Sequence, residues 1–253
     1  ENSLSNHLRK ASGIISGTNY GISQIKEYYG IPSNKLFKIP HPSIKYDFDN
    51  DIKINDEYIK ECGLEKNCFL FYPAQFWAHK NHKSLINLGK ELKKEYKNKI
   101  KIVLSGSDKG NLPYIKNEIK KNNLEDIFKY LGFINKNELF SLYKNCLALT
   151  YVSYGGPENL PPLEAFSVGC PVIAAKNEGS MEQLEDAAIL IDPNNTHEFM
   201  QSVKKLKNNE YKSKLIKKGF AISDKKSIDN FMTDLKKVFR NLQSYINTWK
   251  NIS

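Results

Sequence analysis

The feature that most constrains the fold is the regular alternation of short apolar runs with amphipathic helical patterns. Six apolar runs predict strands, at residues 69–76, 101–107, 127–133, 147–153, 171–175 and 187–193. Helical patterns separate them, at about 82–97, 113–122, 136–145, 160–169 and 179–185. This alternation predicts an α/β fold, a Rossmann-like parallel sheet with helices on both faces. Such a sheet binds ligands beyond the carboxyl ends of its strands, where the strand order reverses.

The two ends of the chain predict smaller units. A strand at 11–18, a helix at 21–30 and a short strand from Lys35 come first, followed by the polar, aperiodic stretch 45–57, which we interpret as a linker or surface loop. The last of three lysine-rich helical segments has apolar residues at helical spacing, so one face must pack on another element. We therefore divide the chain into residues 1–42, 43–225 and 226–253.

Composition indicates a folded protein without a membrane span. With 253 residues, of which 40% are apolar, the chain can bury one substantial core. No window reaches the roughly 18 uninterrupted apolar residues of a membrane helix, and the first ten residues lack a signal-peptide core, so we expect a cytoplasmic protein. The four cysteines have no CxxC spacing, and we expect neither a metal site nor a disulfide.

The net charge of +10 raises the question of a polyanionic partner. Arginine occurs only at positions 9 and 240, so nearly all of the positive charge comes from lysine. Proteins that read bases and phosphates usually rely on the planar arginine fork. We therefore interpret the lysines as solvated helix faces and expect no nucleic acid partner, with weak attraction to anionic lipid at the inner face of the membrane as a lesser alternative.

The segment YGGPENLPPLEAFSVGCPVIA, residues 154–174, carries the strongest chemical signal. Its glycines and Asn159 predict a turn, and Pro161 and Pro162 predict the start of a helix. The N–H groups of a helix start can hold an anion such as a diphosphate. Glu164, expected in the first turn of this helix, could accept hydrogen bonds from a ribose diol. It could equally do no more than complement the helix dipole.

This segment resembles the glutamate-bearing nucleotide-sugar motif of the retaining GT-B glycosyltransferases that include glycogen synthase, sucrose synthase and many bacterial mannosyl- and glucosyltransferases. Four further stretches, three before this segment and one after it, occur in the order typical of that family: 72–86, 102–111, 130–153 and 177–193. Residues 11–18 and 28–43 are similar to the last strand and helix of the family's N-terminal domain and to the crossover from that domain into the second one. The resemblance covers nearly the whole chain and implies the C-terminal, donor-binding half of a GT-B fold.

The resemblance also implies roles for individual residues. Lys80 matches the lysine that neutralises the donor diphosphate, and Gln75 stands where many members carry arginine. Ile134 and Leu139 fall in the base-binding stretch, although a plain core role suits Leu139 equally. Gly156, Asn159, Leu160 and Glu164 fall in the donor-binding motif.

One position departs from the family pattern. Gly156 stands where the first of two glutamates usually contacts the transferred sugar. Glu158, two positions along, is the candidate to replace that glutamate, and with Lys80 it completes the expected catalytic pair. The family's chemistry needs no enzyme nucleophile and no metal cofactor, because the leaving diphosphate helps to deprotonate the acceptor.

The implied function is that of a hexosyltransferase. It would transfer a sugar from a nucleoside-diphosphate sugar to a glycan or lipid-linked acceptor, in surface polysaccharide synthesis. We expect the acceptor site in an N-terminal domain that this chain lacks, so the chain is a fragment, a subunit or an inactive remnant. A non-catalytic nucleotide-sugar-binding module is the main alternative; a GT-B epimerase would need acid and base groups that the sequence does not place. Seven apolar residues should face the missing domain: Ile14, Ile15, Tyr28, Tyr29, Phe231, Leu235 and Phe239.

Overall fold

A computed structural model describes residues 2–43, 52–156 and 158–250. The strands are β1 (Ile14–Ser16), β2 (Leu36–Lys38), β3 (Phe69–Pro73), β4 (Lys101–Ser105), β5 (Phe128–Tyr130), β6 (Ala148–Tyr151), β7 (Val172–Ala175) and β8 (Ile189–Ile191). The helices are α1 (Asn2–Lys10), α2 (Asn19–Tyr29), α3 (Asp56–Glu61), α4 (His82–Tyr96), α5 (Leu112–Lys121), α6 (Lys136–Asn145), α7 (Leu160–Ser167), α8 (Glu178–Leu184), α9 (Thr196–Lys205), α10 (Asn209–Lys225) and α11 (Ile228–Lys250).

Six strands form one parallel sheet in the order β5-β4-β3-β6-β7-β8, which confirms the predicted Rossmann-like fold. The chain crosses from β3 outward to β5 and then returns to β6 on the other side of β3. The order therefore reverses between β3 and β6, whose carboxyl ends mark the ligand-binding edge of such sheets. All six predicted strands are present, and each is one to four residues shorter than its apolar run, because connecting residues at one or both ends extend the run.

The central strands are apolar along their whole length because helices cover both faces of the sheet. Phe69, Leu70, Phe71 and Tyr72 of β3 have no exposed surface. The helices bury one stripe each; in α4 that stripe includes Leu85, Leu88 and Leu92. At the start of α6, Asn135 and Glu138 form a reciprocal capping box, which fixes where the helix begins.

The prediction of a linker at 45–57 is wrong at its carboxyl end, while residues 44–51 lie outside the described residues. Ile52 has no exposed surface and packs in the main core. Asn55 caps α3 by accepting the Glu57 N–H at 2.9 Å, and Ile59 of that helix is buried. This helix has only six residues, which is too short to produce a periodic pattern, so the sequence did not predict it.

Residues 2–43, called the N-terminal segment below, form a small unit around β1 and β2, which pair parallel to each other and not to the main sheet. Helix α11 packs on this unit, since a Cβ on Gly13 would lie 3.0 Å from Phe37 and 3.3 Å from Leu242. The prediction that Ile14 belongs to an exposed apolar patch is wrong, because Ile14 is buried. Tyr28 and Phe239 are exposed as predicted, at 72% and 61%.

None of the helices in the described ranges combines the length and apolar character that crossing a bilayer requires.

Candidate functional site

Two loops meet at the reversal point of the sheet: residues 74–81 after β3, and residues 152–159 after β6, called the β6 turn below. The Tyr154 N–H donates to the His79 carbonyl at 3.0 Å. The Asn81 carboxamide donates to the Val152 carbonyl at 3.3 Å. Asn81 has a φ of 53°, which lets the chain turn sharply from the loop into α4. These contacts bring Lys80 to the β6 turn.

Lys80 lies half-buried at this junction. Its ammonium donates to the Tyr151 hydroxyl at 3.0 Å, and its carbonyl accepts from the Tyr72 hydroxyl at 2.6 Å. Burial lowers the pKa of Lys80 and raises the pKa of Tyr151, whose hydroxyl therefore stays neutral. A neutral hydroxyl does not balance the ammonium charge, so the site favours an anion beside Lys80.

The start of α7 offers fewer amides than the sequence led us to expect. A helix start leaves four N–H groups without partners inside the helix, here those of residues 159 to 162. The Asn159 N–H donates to the Gln183 side chain at 2.9 Å, and the two prolines at 161 and 162 have no N–H. Among the described residues, the expected group of amides thus reduces to the Leu160 N–H.

The Asn159 side chain lies beside that amide. Asn159 is 8% exposed, and it makes no side-chain capping bond to α7. Its backbone is fixed on both sides, because Gln183 also donates to the Asn159 carbonyl at 2.8 Å. The carboxamide can therefore supply a donor at the helix start, where the prolines removed two.

Gly156 has a φ of 123°, a conformation that only glycine adopts readily. A Cβ at this position would also lie 2.9 Å from Asn159 Oδ1. The glutamate expected from the family pattern therefore could not be accommodated on this backbone without strain. The departure is a change in the shape of the β6 turn as well as in one side chain.

Glu164 faces α6 from the second turn of α7, not from the first turn as the sequence predicted. The Tyr143 hydroxyl donates to its Oε2 at 3.0 Å. Burial raises the pKa of Glu164, and the Tyr143 hydrogen bond and the charges of Lys136 and His41 oppose that rise. One carboxylate oxygen is thus held in place, whereas Oε1 has no hydrogen-bond donor among the described residues and can accept one.

Glu158 extends toward the N-terminal segment. Its Oε1 accepts the His41 backbone N–H at 2.8 Å, and its Oε2 lies where a Cβ on Gly17 would be. Whether it takes part in catalysis stays a prediction.

The remaining predicted residues lie around these loops. Gln75 is exposed, and its Oε1 accepts the Trp77 indole N–H at 3.0 Å, which leaves the carboxamide N–H groups to face outward. Ile134 and Leu139 are partly buried and pack against the main core. Their position is compatible with both the base-binding and the core interpretation.

Two aromatic side chains near these loops differ in their exposure to solvent. Phe133, next to Ile134, is 86% exposed at the carboxyl edge of the sheet, and its place in an apolar run hid it. His82, at the start of α4, is 1% exposed and stacks on Phe76 with ring centroids 4.2 Å apart. His82 is therefore a core residue.

Comparisons with known proteins identify the family and the fold. The family model of glycosyl transferases group 1 matches residues 55–221. Among curated proteins, the chain is similar to the mouse (Mus musculus) alpha-1,3/1,6-mannosyltransferase ALG2, with 24% identity over 77% of this chain and 50% of the relative. It is also similar to the Escherichia coli O-antigen chain mannosyltransferase B, with 22% identity over 92% of this chain and 61% of the relative. The chain thus spans about half to three fifths of the length of these relatives.

Solved structures share the fold. Anabaena Alr3699/HepE in complex with UDP-glucose matches 96% of this chain and 67% of its own, with a TM-score of 0.79 and 18% identity. TarM matches 96% of this chain and 46% of its own, with a TM-score of 0.76 and 16% identity. These structures establish a GT-B type fold, and the family model covers well over half of the chain. The chain belongs to the glycosyl transferases group 1 family.

Proposed function

We propose that this chain is the donor-binding half of a retaining glycosyltransferase that uses a nucleoside-diphosphate sugar. The observation that carries the proposal is the half-buried Lys80 ammonium at the reversal point of the sheet, where it donates to the Tyr151 hydroxyl of β6 at 3.0 Å; helix α7, with the Leu160 N–H at its start and Glu164 in its second turn, follows β6 in the chain. The names of the relatives support transfer of a hexose, since both are mannosyltransferases. HepE was solved with UDP-glucose, and a TarM mutant with UDP and alpha-GlcNAc-glycerol.

The diphosphate would bind between the loop after β3 and the start of α7. Lys80 supplies the positive charge, and the Leu160 N–H and the Asn159 carboxamide supply hydrogen bonds. Gln75 is neutral and adds donors without charge. Binding should therefore depend on Lys80 more than on any other single residue.

The nucleoside would lie further along the same edge. Glu164 Oε1 is the acceptor for a ribose hydroxyl, with the carboxylate held by Tyr143 at 3.0 Å. The base would pack on the loop after β5 and the first turn of α6, where Ile134 and Leu139 are partly buried and the exposed Phe133 ring can stack on a base.

The chemistry needs no group on the enzyme that attacks the sugar. The acceptor hydroxyl attacks the anomeric carbon on the face from which the diphosphate leaves, and its proton passes to the departing phosphate oxygen. Lys80 stabilises the negative charge that develops on the diphosphate. We propose no metal cofactor, because Lys80 and the helix start can balance this charge.

The acceptor would be a glycan or a lipid-linked saccharide in surface polysaccharide synthesis at the inner face of the membrane. We propose that a separate N-terminal domain binds it and packs on the N-terminal segment and α11. Tyr28, Phe239, Ile228 and Ile15 expose between 44% and 72% of their surface there, and they supply apolar area for such a contact.

A binding module without transfer activity is the second candidate. The altered β6 turn at Gly156 favours it, because the usual sugar-contacting glutamate does not fit this backbone. Sugar transfer by the chain supplied with its N-terminal domain would exclude this candidate.

Calorimetry on the chain tests the diphosphate site. UDP or GDP should bind at least tenfold more tightly than the matching nucleoside. Lys80→Met should abolish most of that difference, a loss of about 1.5–3 kcal/mol for a charge-assisted contact. Lys116→Met is the matched control. Lys116 belongs to α5, and its ammonium lies over the Tyr130 ring, 5.0 Å from the ring centroid, so it should not touch the ligand. Equal affinities for nucleotide and nucleoside would refute the site.

A further inference from the structure

Glu158 lies at a contact between two parts of the chain that are far apart in sequence. Its Oε1 accepts the His41 N–H at 2.8 Å across 117 positions. Its Oε2 fills the space beside Gly17, in the connection between β1 and α2, so closely that any side chain there would overlap it. One carboxylate thus joins the β6 turn to two separate points of the N-terminal segment.

The surrounding contacts make this junction specific. The His41 N–H donates to a carboxylate oxygen, and hydrogen bonds to carboxylates are stronger than those between neutral groups. Lys226, at the end of α10, is near enough for the Glu158 charge to oppose the lowering of its pKa by burial. The Ser43 N–H donates to the Lys226 carbonyl at 2.7 Å, so the crossover is held on its other side as well.

A second carboxylate provides a comparison. Glu182 of α8 also holds the N-terminal segment, by accepting the N–H groups of Asn19 at 2.8 Å and Tyr20 at 3.1 Å. Glu182 belongs to α8, whereas Glu158 belongs to the β6 turn itself. If both residues only docked the segment, replacing either one should have the same effect on the response of the segment to a ligand.

We propose that Glu158 is a positioning residue that couples the β6 turn to the N-terminal segment, so that ligand binding at the turn and docking of the segment stabilise each other. The coupling rests on the proposed function in that the β6 turn is taken as the donor site. The link is reciprocal: whatever a ligand adds to the stability of the His41 contact, the contact adds to ligand affinity.

The crossover sequence makes the contact unusually easy to observe. Residues 39–43 read IPHPS, so Pro40 and Pro42 contribute no amide hydrogens. The three amides that remain have three different acceptors: Ile39 donates to Ser16, His41 to Glu158 and Ser43 to Lys226. Amide hydrogen exchange in this short stretch therefore reports each contact separately.

The first measurement is exchange in the ligand-free chain. Glu158→Ala should speed exchange of the His41 amide roughly 10- to 100-fold, the scale for losing one hydrogen bond to a charged group, and leave Ile39 nearly unchanged. Glu158→Gln, which keeps an acceptor oxygen, should restore part of the protection. Glu182→Ala should speed exchange at Asn19 and Tyr20 instead.

Gly17→Ala tests the same contact from its other side. The φ of Gly17 is ordinary, and the three atoms nearest to an added Cβ all belong to the Glu158 carboxylate, which must move. The variant should match Glu158→Ala at the His41 amide, and combining the two should add little. Gly155→Ala, in the same turn but with nothing within 4 Å, should leave His41 exchange unchanged.

The second measurement adds saturating UDP or GDP. In wild type and Glu182→Ala the nucleotide should slow His41 exchange further, and in Glu158→Ala and Gly17→Ala it should not. Unchanged ligand-free exchange at His41 in Glu158→Ala, or nucleotide binding that leaves His41 exchange in wild type unaltered, overturns the proposal. If neither nucleotide binds wild type, the proposed function and the coupling fail, whereas the ligand-free exchange still decides whether Glu158 holds His41.

Discussion

His82 makes the stability of the site dependent on pH in a direction that can be stated in advance. The ring is 1% exposed, stacks on Phe76 and lies 4.9 Å from the Tyr72 ring centroid. Within the described residues, neither ring nitrogen meets hydrogen-bond geometry with a partner. Burial lowers the pKa of His82 from 6.5 to about 4; the nearby Ala74 backbone opposes this shift in part, and the Lys80 charge adds to it.

The sign follows from proton linkage. Between pH 6.5 and pH 4 the unfolded chain binds a proton at His82 that the folded chain excludes, so stability falls as the pH is lowered through this range. The interval corresponds to about 3 kcal/mol. His82→Phe keeps the stacking on Phe76 and removes the titrating group, so it should lose this part of the acid sensitivity.

Urea unfolding at pH 7 and at pH 4 measures the effect. The stability of His82→Phe relative to wild type should increase by roughly 3 kcal/mol between the two pH values, and the variant should be at least as stable as wild type at pH 7. His197→Phe, on the exposed surface of α9, is the control and should show no such change. An equal pH dependence in wild type and His82→Phe would refute the reasoning.

Three further outcomes are expected from the structure. Glu164→Gln removes a carboxylate whose pKa is raised by burial but keeps an acceptor for Tyr143, so it should raise the melting temperature at pH 7 while weakening UDP or GDP binding about tenfold or more; a lower melting temperature would contradict this. Gly156→Ala should cost about 1–3 kcal/mol in denaturant unfolding because of its positive φ, whereas Gly155→Ala should be neutral within about 0.5 kcal/mol; equal effects would contradict the argument. Gln183→Ala removes the side chain that pairs with the buried Asn159 N–H and carbonyl, so it should destabilise the chain by about 2 kcal/mol or more in the same assay. A neutral result would mean that water replaces both bonds.

The sequence predicted most of the fold because the sheet is buried on both faces. Each strand of such a sheet is a continuous apolar run, and each crossover helix has one apolar stripe, so both patterns are visible locally. The exceptions follow the same logic. Helix α3 has only six residues, and Ile52 lies in a polar stretch, so neither produced a periodic pattern.

The site was predictable as a set of residues but not as an arrangement. Lys80 and Glu164 could be found because they lie in recognisable motifs. The partners that determine their environment are distant: Tyr151 is 71 positions from Lys80, and Tyr143 is 21 positions from Glu164. That Gln183 occupies the Asn159 N–H, and that Glu158 extends to His41, depends on packing that no local pattern encodes.

A crystal structure of the chain with UDP or GDP tests the central claim most directly. The diphosphate should lie within hydrogen-bond distance of the Lys80 ammonium and the Leu160 N–H, and a ribose hydroxyl should donate to Glu164 Oε1. The competing position is the cleft between the N-terminal segment, α8 and α11, which is lined by Lys38, Lys226 and Lys237 among others. A diphosphate bound in that cleft, with Lys80 and Leu160 free of ligand, would contradict the assignment of this chain as a donor-binding half.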